Sequence, residues 1–258
     1  MPERTEYANG TPSWVDLQTT DPKTAKAFYA GLFGWTFNDI PIDEANDVFY
    51  SMAQLQGKDV AAISPLGDQA AQGVPPHWNS YVTVTDVDNT AAQVEGAGGT
   101  LVMPPFDVMD AGRMAVVQDP TGAFINLWQA KGSIGAQLVN EAGAFSWSEL
   151  ITPDVAKSAA FYKKLLGWDA QTSGEGAGAY TEWKLNGDSI GGAMAPPMPG
   201  MPSVWGIYFM TDDTDATVAK AESSGASVFV APQDIEPGRF AVLADPQGAI
   251  FNVITMKQ

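Results

Sequence analysis

The chain has 258 residues, 45% of them apolar, enough for one large domain or two small ones, and no apolar run approaches the length of a membrane span. It contains no cysteine and a single histidine, His77, which excludes disulfides, thiolate chemistry and any metal site built from several histidines of one chain. With 13 Lys and Arg against 30 Asp and Glu, the formal charge is −17, a field that repels nucleic acid and anionic membrane and leaves a neutral or cationic small-molecule ligand as the expected partner.

In chain order, Met1 to Tyr7 lacks the basic start and apolar core of a secretory signal, so the expected location is the cytoplasm. A strand from Trp14 ends at Asp21 and leads into a helix that carries Ala27-Phe28-Tyr29 and stops at Leu32-Phe33-Gly34-Trp35. Short β-rich runs follow, Val48 to Leu55 and Val60 to Ile63. The strand Tyr81 to Val84 then opens a second unit. Its helix is expected from Asp86 through Glu95, stopped by Gly96, Gly98 and Gly99, and Gly112-Arg113 with Asp119-Pro120-Thr121-Gly122 precede its last strand.

The same order then starts again. Trp147 to Asp154, Phe161-Tyr162 and Leu165-Leu166-Gly167-Trp168 repeat the first copy at an offset of 133 positions (Trp14 to Trp147, Trp35 to Trp168). Gly238-Arg239 and Asp245-Pro246-Gln247-Gly248 repeat the late motifs at an offset of 126 (Gly112 to Gly238). The fourth unit has the strand Ile207 to Met210 and a helix expected from Asp215 through Glu222, stopped by Gly225. The expected organisation is a first domain over 8–131, a linker over 132–141 and a second domain over 142–258. Each domain reads as two units of strand, helix and several strands.

A strand ending in Asp, a helix closing on Phe-Tyr, Leu-x-Gly-Trp and a late Asp-Pro-x-Gly, all in order and repeated, resemble the vicinal oxygen chelate superfamily of glyoxalases, bleomycin-resistance proteins and dioxygenases. The likeness covers nearly the whole chain and is to the tandem two-domain type of actinobacteria. It implies an α+β fold of tandem glyoxalase-like domains, each of two βαβββ modules forming a curved mixed sheet around a cavity. In that superfamily metal ligands project from the first strands and from the strand after Asp-Pro-x-Gly, and two substrate oxygens chelate the metal, which acts as a Lewis acid. The matching positions here are Trp14, Asn79 and Asn126 in the first domain and Trp147, Gly206 and Asn252 in the second. An indole nitrogen has no lone pair to give, and neutral amides hold transition metals poorly. No metal and no other cofactor is therefore expected. A divalent metal displaced toward Asp16 or Glu149 is the open alternative.

Strand alternation puts Trp14, Asp16 and Gln18 on one face, Asn79 and Tyr81 on another, and Phe124, Asn126 and Trp128 on a third. The second domain offers Trp147 and Glu149 with Tyr208, Met210 and Asn252. Aromatic walls with sparse polar groups suit a small-molecule pocket. Asp16 and Glu149 are the candidate catalytic acids or bases, and the other residues of these faces are candidate ligand contacts. Trp35 and Trp168 are expected in the core, Trp78 and Trp205 at sheet edges or the domain junction, His77 in a loop, and Arg113 and Arg239 in pairings with nearby carboxylates. The first expectation for function is a metal-independent protein that binds an aromatic or hydrophobic molecule such as a secondary metabolite, as a monomer or homodimer. The alternatives are a natural-product tailoring enzyme (lyase, isomerase or hydroxylase-like) using Asp16 or Glu149, and a glyoxalase or dioxygenase with relocated ligands.

Overall fold

The computed structural model describes residues 2–257. Its first sheet is built from β1 (Pro12–Thr19), β2 (Thr36–Asp43), β3 (Val48–Leu55), β4 (Lys58–Pro65), β5 (His77–Thr83), β6 (Thr100–Val108), β7 (Gly112–Gln118) and β8 (Phe124–Ala130). Helix α1 (Pro22–Phe33) follows β1, the short α2 (Asp68–Ala71) follows β4, and α3 (Val87–Ala92) with α4 (Val94–Ala97) follows β5. The second sheet holds β9 (Phe145–Ile151), β10 (Asp169–Ser173), β11 (Tyr180–Leu185), β12 (Asp188–Met194), β13 (Val204–Met210), β14 (Ser227–Asp234), β15 (Gly238–Ala244) and β16 (Ile250–Met256), with α5 (Val155–Leu166) after β9 and α6 (Thr214–Ser223) after β13. The α+β fold expected from the sequence is the fold observed, with four βαβββ modules and two open eight-stranded sheets.

Strand order is β2-β3-β4-β1-β5-β8-β7-β6 in one sheet and β10-β11-β12-β9-β13-β16-β15-β14 in the other. Each module contributes half a sheet, in which its first and last strands pair in parallel (β1 with β4, β5 with β8). The first strands of the two modules meet antiparallel at the centre, Trp14 opposite Tyr81 and Asp16 opposite Asn79. The second sheet repeats this with Trp147 opposite Tyr208 and Glu149 opposite Gly206. Because side chains alternate along a strand, this central pairing collects the expected site residues of each domain on one face.

Local chemistry explains the repeated motifs. The Asp that ends each first strand is a helix cap: Asp21, Asp86, Asp154 and Asp213 accept from the backbone N–H of Thr24, Asn89, Lys157 and Ala216. Two helix expectations need correction. The last helix begins at Thr214 under Asp213, with Asp215 already inside its first turn. The helix expected over Asp86–Glu95 is divided at Gln93 into α3 and α4, and Gly98 closes it in the left-handed conformation. His77, expected in a loop, is the first residue of β5 opposite Gln18, with Nδ1 2.9 Å from the Pro75 carbonyl.

The helix faces of the two domains pack crosswise. One buried cluster joins Phe28, Tyr29 and Trp35 of the first domain to Phe209, Phe251 and Val253 of the second, and another joins Val82, Ile125 and Leu127 to Phe161, Tyr162 and Trp168. The Phe-Tyr and Asp-Pro-x-Gly motifs meet across this junction. Tyr29 donates to Asp245 at 3.2 Å, and Tyr162 donates to Asp119 at 3.1 Å. Trp78 and Trp205 donate in turn to Tyr29 and Tyr162. The Trp35 and Trp168 indoles reach the carbonyls of Gly143 and Gly10 in the opposite halves. The segment expected as a linker lies along the first sheet, with Ala136 and Gln137 donating backbone N–H groups to Ser13 and Asp59.

Candidate functional site

Asp16 stands at the middle of the first sheet's inner face, 2% exposed. Three donors hold it: the Asn79 amide at 2.9 Å on Oδ1, and the hydroxyls of Tyr81 at 2.8 Å and Tyr50 at 3.0 Å on Oδ2. The Tyr50 oxygen in turn accepts the Trp14 indole N–H at 2.9 Å. Burial pushes the Asp16 carboxyl above the usual carboxylate range, with the Asn79, Tyr81 and Tyr50 hydrogen bonds opposing the shift. The same burial, reinforced by the neighbouring carboxylate, drives Tyr50 and Tyr81 well above the ordinary phenol value.

The second domain repeats the chain of contacts. Trp147 donates to the Tyr180 hydroxyl at 3.0 Å and Tyr208 donates to Glu149 at 2.9 Å, with the Tyr180 hydroxyl also beside Glu149. Burial raises Glu149 as it raises Asp16. The amide is missing because Gly206 stands where the first domain has Asn79. Gly192 on β12 also finds its reason here. A Cβ on Gly192 would lie 2.0 Å from the Tyr180 hydroxyl, so only glycine lets that ring cross β12 to reach Glu149.

Of the expected residues, Trp14, Asp16, Asn79 and Tyr81 converge in one hydrogen-bonded group, and Trp147, Glu149 and Tyr208 in another. Asn126 lies beside Tyr81 on β8, and Trp128 on the same face meets the Tyr81 ring edge-on at 6.5 Å while its indole donates to the Ser133 carbonyl. Gln18 is further along the strand, where its amide oxygen meets Gln69 of α2. Phe124 is 52% exposed at the end of β8, outside the group, and Met210 is half-buried beyond Tyr208. Asn252 donates to the backbone carbonyl of Ile207. Arg113 and Arg239 form bidentate pairs with Asp88 and Asp215 on the surface.

Tyr50 and Tyr180 were not among the sequence candidates, yet each links an indole to a buried acid. Their offset of 130 falls between the two offsets of the repeat, so neither motif block aligned them. The signal available was a tyrosine on the same strand, β3 or β11, of the first module of each half.

The fold family implies a metal, and the donor chemistry here does not fit one. The Trp14 indole has no lone pair to give, the Asn79 and Asn126 amides are neutral and weak ligands, and the Asp16 oxygens already accept three hydrogen bonds. Among the described residues no group of three or more His, Cys, Asp or Glu side chains gathers. Two surface clefts, of about 460 and 450 Å³, lie elsewhere: one between the end of α1 and the start of α6, the other beside the start of α1. They contain none of these residues.

The Glyoxalase/Bleomycin resistance protein/Dioxygenase superfamily model matches residues 11–127, and a glyoxalase-like domain model matches residues 148–254. The chain belongs to this superfamily. It is 50% identical over 256 residues, 98% of both chains, to the Mycobacterium tuberculosis protein named "Putative glyoxylase CFP32". It is 34% identical over 266 residues, 98% of this chain and 96% of the relative, to the anthracycline biosynthesis protein DnrV of Streptomyces peucetius. In fold it is similar to a Mn(II)-bound glyoxalase from Novosphingobium aromaticivorans, with TM-score 0.66 and 16% identity over 96% of this chain and 82% of that one. It is likewise similar to 2,2',3-trihydroxybiphenyl 1,2-dioxygenase of Sphingomonas wittichii, with TM-score 0.68 and 13% identity over 97% and 92%. Among the described residues no helix is long and apolar enough to cross a membrane.

Proposed function

We propose that this superfamily member binds a flat aromatic or hydrophobic small molecule, such as a secondary metabolite, on the inner faces of its sheets and needs no metal to do so. The observation that carries this reading is the hydrogen-bonded run from the Trp14 indole through Tyr50 to Asp16 and Tyr81 in the first half, with Trp147–Tyr180 and Tyr208–Glu149 as its counterparts in the second. Such a face offers stacking area and a few oriented polar atoms, the composition of a ligand pocket. The anthracycline biosynthesis relatives agree with a polycyclic aromatic ligand. The test is tryptophan fluorescence of chelator-treated protein titrated with 2,6-dihydroxyanthraquinone, whose hydroxyls are too far from its carbonyls to chelate. Saturable quenching without consumption of the compound is the expected result; no saturation removes the reading. The same reading takes the protein as a cytoplasmic monomer or homodimer, without nucleic acid or membrane partners.

A tailoring enzyme is the second reading, favoured by the burial that holds Asp16 and Glu149 above the usual carboxylate range, the direction that a proton-exchanging acid needs. It predicts turnover that survives chelator and disappears in Asp16→Asn or Glu149→Gln. Turnover that chelator abolishes would instead restore a glyoxalase or dioxygenase with relocated ligands.

A further inference from the structure

The two halves treat one equivalent residue differently. Asn126 and Asn252 occupy the same place on β8 and β16, opposite Tyr81 and Tyr208 on one side and Val116 and Val242 on the other. Asn252 folds back onto the Ile207 carbonyl at 2.9 Å. It does so over Gly206, where an added Cβ would stand 3.2 Å from the Asn252 amide nitrogen. The first domain has Asn79 in place of Gly206 and Ser80 in place of Ile207. A side chain at this place crowds the path that Asn252 takes over Gly206, and Asn79 is itself held by Asp16. Asn126 is therefore left 6% exposed, with no side-chain hydrogen bond to another described residue and its polar atoms still touching solvent. An amide that the protein leaves to solvent on this face can exchange water for a ligand group of matching polarity.

The surroundings define that ligand. Tyr81 and Trp128, each 8% exposed, lie beside Asn126 on the same face, so aromatic rings border the amide. Asp16, on β1 beyond the intervening β5, has three of its acceptor positions filled by protein donors, which leaves little room for a cationic group to pair with it. An overall charge of −17 disfavours an anion. We propose that the first domain's face is the one that reads ligand polarity, with the Asn126 amide donating to a carbonyl at the edge of an uncharged flat ring system. The second domain's Asn252 is committed to its own backbone and does not read this group.

This inference rests on the binding reading above, and one pair of probes separates the two. 2-Hydroxyfluorenone and 2-hydroxyfluorene share a tricyclic skeleton and differ in the ring carbonyl. Calorimetric titration should show the fluorenone binding about tenfold more tightly than the fluorene, at one carbonyl-dependent site per chain. Asn126→Leu, similar in volume, should erase that difference between the two compounds. In the wild-type protein, the side-chain amide resonance of Asn126 should move with the fluorenone and stay put with the fluorene, a readout that does not depend on the variant folding. If neither compound binds the wild-type protein, the binding reading fails and this inference with it. Equal affinities for the two compounds, a preference that survives in Asn126→Leu, or an unmoved Asn126 amide resonance overturns the inference alone.

Discussion

At the scale of single residues, the chemistry rests on two acids that burial keeps from ionising easily. Each has a folded pKa above its unfolded value, so its contribution to stability is complete below the ordinary carboxylate pKa and is lost as pH rises through the folded value. Replacing both, Asp16→Asn with Glu149→Gln, should remove this loss. The difference in melting temperature between variant and parent should then grow in the variant's favour as pH rises from about 4. A difference independent of pH would show that neither acid is desolvated as described. Tyr50→Phe and Tyr180→Phe each break two links, leaving an indole N–H unpaired and removing a donor from a buried carboxylate. Each should cost about 1–3 kcal/mol in urea unfolding and shift tryptophan emission. Sequence alternation placed Trp14 with Asp16 and Trp147 with Glu149 correctly on shared faces, because the period of two is a property of the strand itself. It could not find Tyr50 and Tyr180, since what brings them to the acids is the order of strands in the sheet, which no local pattern encodes.

At the scale of elements, motifs that read as family signatures turn out to be structural parts. The strand-ending Asp caps a helix in all four modules, and Asp213→Ala should cost about 1 kcal/mol by chemical denaturation. In the Asp-Pro-x-Gly motif, one carboxylate oxygen holds the turn and the other crosses to the opposite domain. Asp245 takes the N–H groups of Gln247 and Ala249 on Oδ1 and the Tyr29 hydroxyl on Oδ2; Asp119 does the same with Thr121, Ala123 and Tyr162. Tyr29→Phe and Tyr162→Phe should therefore destabilise to a similar extent, about 2 kcal/mol each, because each also strands the indole of Trp78 or Trp205. Unequal costs would mean that the two junctions are not equivalent. The four modules were legible from the repeat, and Gly98 and Gly225 marked helix ends. The start of α6 was misread because Asp212, Asp213 and Asp215 crowd the same turn, and only the backbone N–H of Ala216 shows which one caps.

At the scale of the whole molecule, both halves share their apolar interior. Each of the two buried clusters draws residues from both domains, so neither sheet buries its helix side without the other. Scanning calorimetry should give a single transition whose van't Hoff and calorimetric enthalpies agree; two resolved transitions would contradict a shared core. This crosswise docking was not legible in the duplication, because a repeat specifies two similar folds and says nothing of which face of one meets the other. Duplication also left one copy free to change. Gly206 in place of Asn79 removes a donor from Glu149 and ties down Asn252, so the inner faces have diverged while the junction has stayed nearly symmetric. Whether those faces work without a metal is most directly measured by calorimetric titration of 2,6-dihydroxyanthraquinone into chelator-treated protein, with and without added Mn²⁺. The donor sets around Asp16 and Glu149 predict the same saturable binding in both conditions; binding that appears only when Mn²⁺ is present would contradict a metal-independent site.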